Sequence, residues 1–184
     1  MGIPFVVDPA DIPEEIAPGE SAERAASRIA ADKAACVAAR RPQSWVLAAD
    51  TLVLLDSRIL GKPRDGAEAA EMLRFLAGRE HRVVTAVRFT RGAGPGREIV
   101  ETTGVRIAPL SEEEILWYVA TGEPRDKAGA YAVQGLGARF IESVAGSYTN
   151  VMGLPARAVY ILLRESGDPA LANLSLKPAG APSV

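Results

Sequence analysis

The chain has 184 residues, with 21 Lys plus Arg against 23 Asp plus Glu, a formal charge of -2, one His and one Cys. Its length fits one or two domains, one being the simpler expectation, and 48% hydrophobic with 24% charged residues is a globular balance too apolar for intrinsic disorder. A lone Cys36 and a lone His81 exclude an internal disulfide and a four-ligand zinc site, so any metal would sit on oxygen ligands.

Residues 3–7 (I-P-F-V-V) predict a short strand entering a loop rich in Pro and acid. Ser21 is an N-cap type, and 22–41 is Ala-rich with Pro42 just beyond, which predicts a helix with a marked end. The nearly wholly apolar stretch 45–55 predicts a buried strand, turned back by Asp56-Ser57-Arg58 into Ile59-Leu60. Asp65 with Glu68 forms a capping-box pattern that opens a helix closing at Gly78. From 81 to 91 and from 97 to 109, β-branched residues recur around Gly92-Ala93-Gly94-Pro95-Gly96, the pattern of a long antiparallel hairpin.

Ser111 with Glu114 repeats the capping box, and Gly122 ends that helix. The Gly-rich stretch 126–150 carries strand-like pieces at 131–134 and 139–144. Pro155 suits the first turn of a final helix stopped by Gly167, and 168–184 reads as a disordered Pro/Ala/Ser tail. Helices interleaved with hairpins give an α/β fold with a mixed sheet in one domain, 1–167.

No local basic patch offsets the net charge, so nucleic acid is not an expected partner. The longest apolar runs, such as 115–120 and 158–163, have six residues, whereas a membrane-spanning helix needs about 20. The first basic residue is Arg24 and the first apolar stretch stops at Asp8, unlike a signal peptide. A cytoplasmic enzyme or binding protein is expected.

Asp50 is the most informative position, because W-V-L-A-A-D-T-L-V-L-L surrounds it with hydrophobic neighbours. An unpaired carboxylate there would cost several kcal/mol, so it needs a cation, a set of donors or a metal. Such a group is a base or a metal ligand, the plain alternative being a structural Asp that bonds a turn. Thr51 beside it is by itself an ordinary β-former. Gly61-Lys62-Pro63 presents an ammonium where a strand passes into a helix, a geometry suited to phosphate, but no Walker loop is present and a solvated surface Lys is equally ordinary. Asp126-Lys127 before Gly129 repeats the theme, with an exposed ion pair as its alternative. Gly135-Leu136-Gly137 lacks the third glycine of a dinucleotide loop, His81 lacks a nucleophile context, and Cys36 reads as helix packing.

Together, Ala49-Asp50-Thr51, Gly61-Lys62-Pro63, Asp126-Lys127-Ala128-Gly129-Ala130-Tyr131, Gln134-Gly135 and Ser147-Tyr148-Thr149-Asn150-Val151 with Gly153-Leu154-Pro155 resemble the Maf family of nucleoside triphosphate pyrophosphatases. The resemblance extends over about 1–167. It implies an α/β fold with a mixed twisted sheet, flanking helices and two lobes around a cleft. It also implies a divalent metal, Mg²⁺ or Mn²⁺, and hydrolysis of a nucleoside triphosphate to monophosphate and pyrophosphate. By resemblance Asp50 is the general base and a metal ligand, Glu14 a metal ligand or water-positioning carboxylate, and Lys33, Lys62 and Lys127 the phosphate-binding cations. Thr51 and Gln134 match base-contacting positions of the branch acting on dTTP and UTP; a side-chain amide offers a pyrimidine edge both donor and acceptor. A homodimer is possible, and the alternative from another class is a non-catalytic nucleotide-binding regulator linked to septum formation.

Family members also carry a first strand and an S-x-S-P-R-R segment opening a helix, whose groups would grip the phosphates. In this sequence Met1-Gly2-Ile3-Pro4-Phe5 corresponds to the end of that helix. Three accounts are open: a start codon assigned too far downstream, which is the one expected, a truncated fragment, or loss of catalysis. Were the given chain the whole product, weak turnover and an unpaired central gap in the sheet would follow.

Overall fold

Chain order in the computed structural model, which describes residues 3–169 and 171, begins with α1 (Ala22–Arg40), β1 (Trp45–Leu55), β2 (Arg58–Leu60), α2 (Gly66–Leu76) and β3 (Glu80–Arg91). It continues with β4 (Arg97–Ile107), α3 (Glu112–Ala120), β5 (Ile141–Ala145), α4 (Tyr148–Val151) and α5 (Ala156–Arg164). Three 3-10 turns, Glu123–Asp126, Ala128–Ala130 and Gly135–Phe140, link α3 to β5.

Local chemistry places the helix starts. The Ser21 hydroxyl accepts from Arg24 N, and the Asp65 carboxylate accepts from Glu68 N. Ser111 and Glu114 close a complete capping box on α3. At α2 the return half goes one residue further out, Glu68 accepting from Arg64 N.

The strands form one sheet in the order β2-β1-β3-β4-β5. Each of the four pairings is antiparallel, so the α/β class stands while no parallel pairing of the expected mixed sheet occurs among the described strands. Tight connections at 56–57 and 92–96 allow only antiparallel neighbours. The described strands also pair without the expected central gap; instead β2 covers only Val53–Leu55 of β1, leaving the 45–52 edge without a strand partner among them.

Alternation along β1 sets the two faces of the sheet. Val46, Ala48, Leu52 and Leu54 turn to α1, whose Ala22, Ala25, Ala26, Ala30, Ala34 and Ala38 let helix and sheet approach closely. On the other face Val53 and Leu55 join β3, β4, α2 and α3 in one cluster, while Trp45 and Leu47 join Phe89 and α5 in another. Between those two clusters runs a polar strip. Thr51 and Thr85 hydroxyls meet at 2.9 Å, Thr85 donates to the Asn150 carbonyl at 3.3 Å, and the fully buried Asn150 amide donates to Val83 O, Glu101 O and Thr103 Oγ1.

Three segments differ from the sequence expectation. Residues 3–7 form no strand, and Phe5, Val6 and Val7 lie exposed, although the 45–52 edge of β1 is without a strand partner among the described residues. Residues 131–134 are not a strand either: the Ala132 amide donates to the Tyr118 hydroxyl rather than to a sheet, and the following strand is short. The four-residue α4 was not anticipated, being capped by Ser147 within what reads as a loop. Of the expected tail, Asp168 accepts from Trp45 Nε1 at 2.8 Å, and residues 172–184 lie outside the described residues.

Candidate active site

A cavity of about 450 Å³ opens against the uncovered edge of β1. Its lining includes five consecutive β1 residues, Ala49 to Val53, as expected where a strand is viewed from its edge and both faces are accessible. This explains how Asp50 on the α1 face and Thr51 on the opposite face serve one site. Ile29 and Lys33 of α1, Glu14 and Ile16 of the incoming loop, Gly61-Lys62, residues Asp126 to Ala128, Tyr131 and Val151 to Gly153 complete the wall.

Asp50 is 7% exposed. Its Oδ1 accepts from Lys33 Nζ at 2.7 Å, and the same ammonium meets Glu14 Oε1 at 2.8 Å. Burial works against the charge on Lys33, but its bonds to Asp50 and Glu14 outweigh that penalty and raise its pKa above the ordinary lysine value. Asp50 Oδ2 is buried and has no hydrogen-bond partner among the described residues. An orphaned carboxylate oxygen at a cavity wall is costly unless a ligand, a water or a cation completes it.

Opposite this pair stand two turns bearing lysines. Gly129 N donates to Gly61 O at 3.0 Å, which joins the Lys62 turn to the Lys127 turn. Gly129 has φ +71, and a Cβ there would lie 3.1 Å from Val53 Cγ1, so glycine is required both by conformation and by the approach to β1. Ala130 follows with φ +60, a left-handed conformation held by the surrounding structure. Lys62 is exposed and forms no ion pair among the described residues; Lys127 Nζ donates to Asp126 Oδ1 at 2.6 Å and holds that carboxyl below its usual range. Tyr131 Oη bonds His81 Nε2 at 2.7 Å, and burial pushes the His81 ring down to about 4.

The structure thus gathers Glu14, Lys33, Asp50, Thr51, Lys62 and Lys127 on one cavity. Gln134 is exposed and outside the lining. Sequence reasoning gave no role to Asn150, Thr85 or Tyr131; Asn150 and Tyr131 lay in motifs already noted, but only the fold shows what each side chain meets, whereas the Asp126–Lys127 ion pair is the plain alternative that the sequence offered. Among the described residues no three His, Cys, Asp or Glu side chains group closely enough to cage an ion. Asp50 Oδ2 and Glu14 fit a hard cation whose other ligands are phosphate oxygens and water, the usual manner of Mg²⁺.

A second hollow of about 440 Å³ lies over Glu23, Arg24, Ser27, Arg28 and Ala31 of α1 with Glu98 of β4. None of these side chains is buried, whereas the first cavity is lined by the buried Asp50.

Comparison with known proteins agrees with this geometry. The family model described as Maf-like protein matches residues 1–166. A dTTP/UTP pyrophosphatase of Koribacter versatilis (strain Ellin345) is 47% identical over 165 residues, covering 89% of this chain and 84% of that protein. One from Symbiobacterium thermophilum is 47% identical over 171 residues, covering 92% and 87%. One from Thermomicrobium roseum is 49% identical over 172 residues, covering 92% and 78%.

Proposed function

The chain belongs to the Maf family, and from that premise we propose that it hydrolyses pyrimidine nucleoside triphosphates, dTTP and UTP, to the monophosphate and pyrophosphate. The observation that carries this is Asp50: a buried carboxylate with one oxygen on Lys33 and the other unpartnered, on a cavity whose far wall presents Lys62 and Lys127. A triphosphate brings about four negative charges, and local cations are what a protein of net charge -2 must supply to hold it.

Lys62 and Lys127 bind phosphate oxygens, Lys127 exchanging Asp126 for the substrate. Asp50 holds a water and takes its proton as the water oxygen bonds the α-phosphorus; the bond from that phosphorus to the bridging oxygen breaks, and pyrophosphate leaves with its electron pair. Lys33 fixes Asp50 in orientation, and Glu14 positions the water or shares a cation. Mg²⁺ or Mn²⁺, held by Asp50 and Glu14, would neutralise charge on the phosphates. Thr51 on the cavity wall and Gln134 in the turn after Tyr131 are the proposed base contacts, and the names of the three relatives support the pyrimidine choice.

No helix among the described residues is long and apolar enough to cross a membrane. The proposal places the enzyme in the cytoplasm, working without nucleic acid or membrane. A homodimer belongs to the same proposal, supported by exposed Tyr148, Met152 and Leu154 beside the cavity and read by sedimentation equilibrium.

The test is pyrophosphate release from dTTP, UTP and purine triphosphates with each metal. Release from the pyrimidine substrates is expected; equilibrium binding of dTTP with no release under either metal would instead favour the nucleotide-binding regulator.

A further inference from the structure

The segment 126–134 carries Lys127, Tyr131 and Gln134, yet no strand or long helix holds it. Gly129 N on Gly61 O and Tyr131 Oη on His81 Nε2 tie its middle, and one carboxylate ties the chain at its end. Glu123, at the start of the 3-10 turn that ends in Asp126, accepts from Tyr118 Oη at 2.8 Å and Gly137 N at 2.9 Å through Oε1, and from Leu136 N at 2.9 Å through Oε2. The fully buried Tyr118 oxygen in turn accepts from Ala132 N at 3.1 Å. One backbone amide within the segment and two just beyond it therefore end on two side chains that precede it.

The packing around this clamp leaves no slack. Gly135 has φ +74, and a Cβ there would lie 2.6 Å from Glu123 Oε2. Burial alone would raise the Glu123 carboxyl, but the two amides and the phenol outweigh it and hold its pKa below the ordinary value. Glu123 is an acceptor only, matched to three donors, and it lines no part of the cavity.

We propose that Glu123 is a positioning residue for substrate recognition: by clamping 132–137 onto the start of the 123–126 turn it fixes Lys127 and Gln134 against the bound nucleotide. It sets affinity and base preference while leaving the chemical step to Asp50. This rests on the pyrophosphatase reading, since it assigns Lys127 to the phosphates and Gln134 to the base.

The test is Glu123→Gln, which keeps shape but turns an NH₂ donor toward amide donors. KM for dTTP should rise about tenfold with kcat within about threefold, and the preference for dTTP over dGTP should narrow by a similar factor. Calorimetric binding of dTTP should weaken in parallel, and amide exchange at Leu136 and Gly137 should accelerate. Tyr118→Phe, which removes one donor to the carboxylate and the acceptor of Ala132 N, should shift KM in the same direction by less, and it carries the test if the Gln variant does not fold. A merely structural role would lower the unfolding temperature with KM and base preference unchanged, and that result overturns the proposal, as does a fall in kcat alone. If the wild type releases no pyrophosphate but binds dTTP, the pyrophosphatase reading fails while the binding and exchange measurements still decide the clamp; if it binds no dTTP, both fail.

Discussion

Along its strand wall the cavity is built from Ala49 to Val53, held in a ladder of ten paired positions with β3, whereas its turn wall at 126–131 depends on isolated contacts, the Gly129 amide to Gly61 O, Tyr131 Oη to His81 Nε2 and the Glu123 clamp beyond it. A ladder over-determines position, because losing one bond leaves its neighbours to keep the register. A turn has no such redundancy. Thr51 apart, substitutions on the strand wall are therefore expected to change chemistry or global stability with little effect on substrate affinity. Those behind the turn wall change affinity first.

The largest expected effect is on the strand wall. Asp50→Asn removes the proton acceptor but keeps the ladder, so kcat should fall by at least about 100-fold with the unfolding temperature little changed. Full turnover in that variant would take Asp50 out of the base role. Next is Asn150→Ala, behind Thr51. It deletes donors to Val83 O, Glu101 O and Thr103 Oγ1, and urea unfolding should show a loss of about 3 kcal/mol. A change below about 0.5 kcal/mol would mean that the polar strip does not brace the strands.

A smaller effect comes from His81, which supports Tyr131 from β3. Its folded pKa of about 4 lies below the unfolded value of 6.5, so between those values the unfolded chain binds more protons. Stability is complete above 6.5 and declines as pH falls toward 4, the loss reaching about 2 kcal/mol at pH 5. His81→Gln should flatten that dependence in urea titrations at pH 7 and pH 5. Glu20, held down to about 2 by its bonds from Arg28 and the Ala17 amide, loses stability only below its ordinary 4.5 and leaves this window to His81. The smallest effect is Ala130→Gly: relief of the left-handed backbone and loss of a buried methyl each amount to about 1 kcal/mol and oppose one another, so thermal unfolding should move little. A large change in either direction would show that one of the two dominates.

The same contrast governs what the sequence revealed. Asp50 was legible because a carboxylate inside an apolar strand has no cheap explanation, and the helix starts were legible because capping is a local code. Elements positioned by periodicity, such as α1, β1, β3 and β4, were found within a residue or two of their ends. Residues 131–134 misled because Tyr131 and Val133 have strand-forming composition while the Ala132 amide answers to Tyr118 and the Leu136 and Gly137 amides just beyond answer to Glu123, partners that periodicity cannot reveal. Asn150 lay in a quoted motif, but its three acceptors come from β3 and β4, far away in the chain. Residues 3–7 carry apolar side chains that read as a strand, yet they alternate poorly and take up no pairing with any described strand.

The amide tether between Gly129 and Gly61 makes one mechanical unit of two cations that lie 65 positions apart in the chain, at Lys62 and Lys127. Under the proposed reading, capture of a polyphosphate by either ammonium drags its companion along, and escape demands that both let go together. Such pairing would favour ligands with several linked anionic groups over those with one, so a product shortened to a single phosphate would depart readily without a dedicated exit step.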